Sequence, residues 1–360
     1  MEQFFCKVKI ISGGGSLASL AQLHIKRLLI VADPFFYENG TANHIAHLSC
    51  AQKVDVFHKV APDPSVALAA EGTQLVQQFQ PDTIVALGGG SAMDCAKAMA
   101  YFSGLNVRLI AVPTTSGSGS EVTDFAILTH NGVKHPLIDE KLRPEIAILD
   151  SDLLQNLPPK LIADGGFDLI SHAVEAWAAT GAGKISDALA VDALKTTLVQ
   201  LPKSYAGDQS ARLLVHTAAT MAGMAFCTAG LGLCHALSHA LGGEFHTPHG
   251  RLNAIVLPSV IDCNAEKVLG RYAALSRLLG LSSGADAIAL RALKNTLCRL
   301  RRELGLPDTL AGAGIEPHEV REKMETLVAA ALADPCCATN PVQPEPHHIR
   351  QILHQVMGHG

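Results

Sequence analysis

The chain has 360 residues, which is enough for two domains, since a single core rarely grows past about 250–300 residues. Hydrophobic residues make up 48% and charged residues only 17%, with 28 Lys and Arg against 33 Asp and Glu for a net charge of −5. That balance excludes a disordered chain and the basic footprint of a nucleic-acid-binding protein, while the shortage of charge raises the question of a membrane span.

Residues 1–10 carry Glu2 and two lysines, without the apolar stretch of a secretory signal. The nine cysteines show no C-x-x-C spacing, so a reducing, cytoplasmic setting is expected. Residues 28–33 (LLIVAD), 54–57, 83–87 (TIVAL) and 108–112 (RLIAV) read as buried strands. Residues 66–79 and 91–102 read as the helices between them, and 126–129 and 145–149 as further strands. This alternation predicts a mostly parallel sheet with helices on its faces. The Pro-rich break Asn156-Leu-Pro-Pro-Lys160 places a domain boundary at 155/156. Beyond it helical patterns dominate, over 187–200, 211–226, 233–242, 265–279, 285–303 and 318–333, with an irregular loop after Asp334 and one last helix. Residues 213–243 hold no Lys, Arg, Asp or Glu and are long enough to cross a bilayer. They are rich in Ala, Gly, Thr and Ser, carry His216, His235 and His239, and lack a basic flank, so they read as a buried helix pair.

Two loops point to a phosphate-bearing ligand. Gly88-Gly89-Gly90-Ser91 joins an apolar strand to a helix, an arrangement that aims free backbone amides and the positive end of a helix at one point. A second GGGS at 13–16 also follows a strand-like run, and local pattern does not rank the two. PTTSGSGSE at 113–121 sets five hydroxyls at the carboxyl end of a strand, where open parallel sheets bind ligands. Asp33 ends LLIVAD, where a carboxylate either receives a ribose diol or caps a helix.

The strongest chemistry is a set of metal-type donors. Asp168 and His172 share one helical face, His235 and His239 repeat the spacing, and His249 follows on a Pro/Gly-rich loop. Oxygen and nitrogen donors without thiolate suit Fe²⁺, Zn²⁺, Mn²⁺ or Co²⁺. His216 and His246 are read as non-ligands and Cys227 and Cys234 as core residues. Glu175, on the Asp168 helix, is left between a supporting partner and a capping acid.

These segments resemble the iron-dependent (group III) alcohol dehydrogenases: GGGSAMDCAKA at 88–98, PTTSGSGSEVT at 113–123, GFDLISHAVEA at 166–176 and GLGLCHALSHALGGEFHTPHGRLNA at 230–254. The last two are specific to that family. Within it the pattern is nearest to the 1-propanol dehydrogenases of propanediol utilisation and the ethanol dehydrogenases of ethanolamine utilisation. The resemblance implies a Rossmann-like NAD-binding domain over 1–155 and an all-helical, metal-binding catalytic domain over 156–360, the dehydroquinate synthase-like fold. It places the ligands of Fe²⁺, with Zn²⁺ as the alternative ion, at Asp168, His172, His235 and His249, and a further catalytic histidine at His239. The pyrophosphate loop falls on Gly88, Gly89, Gly90 and Ser91. Asp94, Thr114, Thr115 and Ser118 join the NAD(H) contacts, Asp33 stands where an acid accompanies NAD preference, and Lys134 matches a lysine near the nicotinamide.

The implied activity interconverts short-chain primary alcohols and aldehydes, of the propanol/propionaldehyde or ethanol/acetaldehyde type, in the direction of aldehyde reduction with NAD⁺ regeneration. A homodimer, with no nucleic-acid or membrane partner, is expected, and the nearest pattern implies a bacterial microcompartment and its proteins as the setting. The departures are Pro62-Asp-Pro-Ser65 where the family has P-N-P-T, which touches a cofactor contact at Asp63, and TTSGSGSE where it has TTSGTGSE. The alternatives are a glycerol-dehydrogenase-like or dehydroquinate-synthase-like relative, disfavoured by PHG with H-x-x-x-H, and a nucleotide- and metal-binding protein without catalysis.

Overall fold

The computed structural model describes residues 4, 6–130 and 132–358; part of the leader reading over 1–10 therefore lies outside the described residues. The chain forms two compact units, Cys6–Leu157 and the part beginning at Pro158.

The first unit carries β1 (Lys9–Ser12), β2 (Arg27–Ala32), β3 (Lys53–Phe57), β4 (Thr83–Gly88), β5 (Arg108–Pro113), β6 (Phe125–His130), β7 (Val133–Ile138) and β8 (Ile146–Leu149). Its helices are α1 (Pro34–Glu38), α2 (Thr41–Leu48), α3 (Val66–Phe79) and α4 (Gly90–Ser103). Six strands make one sheet, in the order β1-β8-β5-β4-β2-β3, and every pairing in it is parallel. The apolar runs are continuous because both faces are covered. Leu28, Ile30, Val85, Leu87, Ile110 and Val112 face Ala42 and Ile45 of α2, while Leu29, Val31, Ile84, Ala86, Leu109 and Ala111 face Val76 of α3 and Ala92, Ala96 and Met99 of α4. From β2 the chain passes to β3 on one side, and from β4 to β5 on the other. The crevice beyond the carboxyl ends of β2 and β4 is therefore the topological switch point.

Two readings of this half need correction. β6 is not part of the parallel sheet but pairs antiparallel with β7 in a separate two-stranded ribbon. β7 itself was hidden, because Pro136 and a run of exposed side chains mask its strand signal.

The second unit is helical: α5 (Pro159–Ala178), α6 (Lys184–Tyr205), α7 (Gln209–Ala229), α8 (Leu233–Phe245), α9 (His249–Leu278), α10 (Asp286–Glu303), α11 (Pro317–Glu322), α12 (Met324–Ala333) and α13 (Pro346–Val356). α5 is its axis, packed against α6, α7 and α9 and buried along almost its whole length. The charge-free stretch forms α7 and α8, bent by 106° at their junction; among the described residues no single helix is long and apolar enough to cross a membrane.

Three element readings change. The Pro-rich break is the start of α5, with Pro159 at its first turn, where a missing amide costs nothing. His249 is not on a loop but is the first residue of α9, which runs on to Leu278 through a kink at Val268. Its first half was illegible because Pro258 interrupts it and apolar residues cover most of its circumference. Residues 318–333 split into α11 and α12 at Lys323.

Candidate metal centre and nucleotide crevice

At the switch point the two candidate loops meet. Gly88 has φ +148°, and a β-carbon there would lie 2.6 Å from that of Ala92, so only glycine lets β4 turn into α4. The same hypothetical atom would sit 3.8 Å from Asp33 Oδ2, which places Asp33 beside the glycine loop. Gly89 abuts Thr115 and Gly90 abuts Ser118, at 3.1 and 3.2 Å by the same measure, and the Thr114 amide donates to Gly88 O at 2.9 Å. α4 starts at Gly90, and Gly89 before it offers no side-chain cap. The GGGS at 13–16 differs: Asp150 already receives the Gly15 and Leu17 amides at 3.0 and 2.8 Å, so that loop is a structural turn.

The hydroxyl loop is a braced element rather than a flexible one. Lys97, 1% exposed, donates to Ser120 Oγ (3.1 Å), Thr123 O (3.0 Å), Thr123 Oγ1 (3.0 Å) and Phe125 O (2.8 Å). Ser120 Oγ in turn donates to Asp94 at 2.9 Å. Asp94 thus ties α4 to the loop, and its burial raises its pKa against the pull of Lys97. Asp33 caps α1 by accepting from Phe36 N at 3.2 Å, which is the helix-cap reading of this residue. Lys134 pairs with Asp63 at 2.8 Å, which accounts for an acid in the departed P-D-P-S segment.

In the second unit, α5 presents Asp168 and His172, α8 presents His235, and the first turn of α9 presents His249. The Nε2 atoms of these three histidines lie 3.8, 3.8 and 3.6 Å from Asp168 Oδ1. Such distances are too long for hydrogen bonds. A tetrahedron whose donors stand about 2.0–2.2 Å from a central ion has edges of about 3.3–3.6 Å, so the His249 span fits and the other two are wider by about 0.2 Å. His235 Nε2 is buried and has no hydrogen-bond partner. Its other nitrogen lies 2.6 Å from Glu175 Oε2, which fixes Nδ1 as the protonated atom and leaves Nε2 a lone pair. The residues present therefore fit a divalent metal with nitrogen and oxygen ligands.

Electrostatics agree. Burial favours neutral Asp168, but the surrounding imidazoles overcome it and hold the carboxyl well below its ordinary range. Burial likewise opposes a charged His235, yet Asp168 and Glu175 hold its pKa up at about 9. Without a cation the cluster keeps a proton where a metal would supply positive charge.

The supporting residues were largely missed. Glu175 also receives the Gly232 and Cys234 amides at 3.1 and 2.6 Å, capping α8 as well as orienting His235. Residues 168, 172 and 175 share one helical face, a periodicity that could have assigned it. Asn253 Nδ2 donates to Asp168 Oδ1 at 2.9 Å, and Arg251 grips Asp164 through two bonds of 3.2 and 2.8 Å, pinning α9 to α5. His239 stands apart from the Asp168 group. Its ring stacks on His249 at 5.0 Å, and its Nδ1 lies 2.8 Å from Asp334 Oδ2.

A parallel sheet with a glycine-lined switch point, followed by a helical unit in which buried Asp168, His172 and His235 are joined by half-buried His249, defines a metal-binding α/β plus all-α class. Two family descriptions match: iron-containing alcohol dehydrogenase over residues 7–151, and the C-terminal part of the Fe-containing alcohol dehydrogenase family over 162–357. The chain is 37% identical to the 1-propanol dehydrogenase PduQ of Salmonella typhimurium, covering 99% of this chain and 100% of that protein. An iron-containing alcohol dehydrogenase structure from Thermococcus thioreducens superposes with a TM-score of 0.91 at 34% identity, over 98% of this chain and 99% of that one. A sulfoacetaldehyde reductase from Bifidobacterium kashiwanohense, solved with NAD⁺, does so at 0.90 with 26% identity, over 99% and 98%. The chain belongs to the iron-containing alcohol dehydrogenase family, and it is an oxidoreductase of alcohols and aldehydes.

Proposed function

We propose that this protein reduces short-chain aldehydes, of the propionaldehyde and acetaldehyde type, to primary alcohols with NADH, using a divalent iron held by Asp168, His172, His235 and His249. The observation that carries this reading is the convergence of three imidazole Nε2 atoms on Asp168 Oδ1, one of them buried and unpartnered. The 1-propanol dehydrogenase relative supports the substrate class, and the NAD⁺-bound neighbour and the Asp33 carboxylate support NAD(H) over its 2′-phosphorylated form.

When bound, the dinucleotide carries the hydride and the metal polarises the substrate oxygen. The chain's own residues do the rest. Gly88, Gly89, Gly90 and Ser91 leave backbone amides at the start of α4 for the pyrophosphate, with Asp94, Thr114, Thr115 and Ser118 shaping the facing wall and Lys134 serving the nicotinamide end. Glu175 locks the His235 tautomer and Asn253 orients Asp168. Arg251 holds the turn that carries His249. Phe226 stacks on His172 at 4.3 Å and keeps water from it. His239, its Nδ1 tied to Asp334, holds or passes a proton at Nε2. A homodimer housed in the cytoplasm, with a microcompartment as the setting suggested by the nearest sequence pattern, completes the proposal.

The test is anaerobic purification with metal analysis, then NADH oxidation across C2–C4 aldehydes after Fe²⁺ or Zn²⁺ is restored. Asp168→Ala and His249→Ala should lose metal and turnover while NADH binding survives. Full activity in either variant would remove the metal assignment.

A further inference from the structure

We infer that His239, Asp334 and Cys336 form a second metal site beside the first, suited to a thiophilic divalent cation such as Zn²⁺ or Cd²⁺. Their donor atoms, one imidazole nitrogen, one carboxylate oxygen and one thiol sulfur, all lie within 4.8 Å of one another. Each of the three side chains is half-buried, so a cation has a route in. Asp334 already draws the other two together. His239 Nδ1 lies 2.8 Å from its Oδ2, the Cys336 amide donates to Oδ1 at 2.9 Å, and the Cys336 sulfur stands within 4.8 Å of the same carboxylate. Two protons, one on Nδ1 and one on sulfur, thus occupy the positions a cation would take. On binding both pass to solvent, and imidazole nitrogen, carboxylate oxygen and thiolate become ligands, with water completing the shell.

The cradle is rigid before any ion arrives. Cys336 lies in a short 3-10 turn, Pro335–Thr339, fastened at several points. Cys337 Sγ donates to Ala331 O at 3.1 Å, and Thr339 Oγ1 to Leu231 O at 2.7 Å. Asn340 receives the Leu233 amide at 3.0 Å and donates to Asn264 at 2.7 Å. These bonds fix the turn against α8, which carries His239, so little ordering remains to oppose binding. The two sites differ in softness. The first offers only nitrogen and oxygen, whereas the second adds sulfur and so favours zinc-like ions over divalent iron.

A consequence rests on the role proposed above for His239: an ion on its Nδ1 takes over the ring and blocks turnover, so excess zinc inhibits the iron-loaded enzyme. The test reads binding independently of activity. Anaerobic protein carrying one iron per chain is titrated with Cd²⁺ and followed by near-ultraviolet absorption and bound-metal stoichiometry. A thiolate-to-metal charge-transfer band should rise with a second equivalent, because the first site contains no sulfur. Cys336→Ser should lose the band and the second equivalent while keeping the first. Cys298→Ala, which removes a thiol on α10 that takes no part in the turn, should keep both and guards against a folding artefact. No band in the wild-type protein, or the same band in Cys336→Ser, overturns the site. Binding of the second ion without loss of turnover leaves the site standing and removes the proposed role of His239.

Discussion

Gly250→Ala tests the metal centre through packing alone, since it removes no ligand and no charge. A β-carbon at this position would lie 1.9 Å from the Asp164 carbonyl oxygen, 2.6 Å from its carbon and 3.2 Å from Asp168 Cβ. The first two are backbone atoms of α5 and cannot rotate aside. To restore ordinary contact the first turn of α9 must retreat by about 1 Å or more. His249 rides on that turn, whereas metal–ligand distances tolerate only about 0.2 Å. Arg251 and Asn253 sit on the same segment, so their bonds to Asp164 and Asp168 stretch together. Overpacking of this kind costs about 1–3 kcal/mol, or roughly 2–4 °C of Tm for each kcal/mol in a unit of this size. Metal retention against a chelator should fall by at least about tenfold, in line with the loss of orienting partners. Gly242→Ala is the control: its β-carbon meets Leu252 at an ordinary 3.5 Å, and alanine favours the helix. Melting by calorimetry and bound metal by mass spectrometry decide the matter. If Gly250→Ala melts with the wild-type protein and keeps its metal, the close approach of α9 to α5 does not position His249.

Glu175→Gln keeps the shape but removes the charge facing His235, and should weaken metal affinity by about 10–100-fold in a chelator competition while the circular dichroism stays unchanged. Wild-type affinity would show that the carboxylate is dispensable. Asp33→Ser keeps an oxygen for the Phe36 amide yet removes the negative charge, so the kcat/KM ratio should move about tenfold or more toward NADPH; a fixed ratio refutes Asp33 as discriminator. In metal-free protein, His235 has its folded pKa raised from 6.5 to about 9. Its stabilisation is therefore complete below about pH 6.5 and is lost as pH climbs through 9, on the order of 3 kcal/mol, so thermal melts of the metal-free form should fall across that window. A flat profile would mean that Asp168 and Glu175 do not hold the proton there.

Much of the sheet was legible because each central strand is an unbroken apolar run bounded by turns. The two i,i+4 pairs were legible for a similar reason: the helix repeat acts over four residues. What resisted reading is tertiary. The two GGGS segments are locally alike, and the difference lies in Asp150, more than a hundred residues from the amides it occupies. Asp334 meets His239 across 95 residues and Asn253 meets Asp168 across 85, so no window on the sequence contains either pair. His249 was assigned to a loop because Pro248 and Gly250 are turn formers. Here Pro248 precedes a helix, and Gly250 is required by the neighbouring backbone rather than by a turn.

The scarcity of charge takes on a definite sense along α5. Asp164, Asp168 and Glu175 are all buried on this one helix, where an unpaired carboxylate costs several kcal/mol. Two have fixed partners: Arg251 for Asp164, and His235 with two backbone amides for Glu175. Asp168 has only the Asn253 amide and three imidazoles that are neutral unless they take up a proton. In an apolar bundle that carboxylate is balanced only by protons held on the imidazoles, and a cation where the three nitrogens meet it would take over that charge. The charge-free stretch 213–243 follows from the same balance, because α7 and α8 wall the cluster and a competing Lys or Arg there would fill the place of the metal.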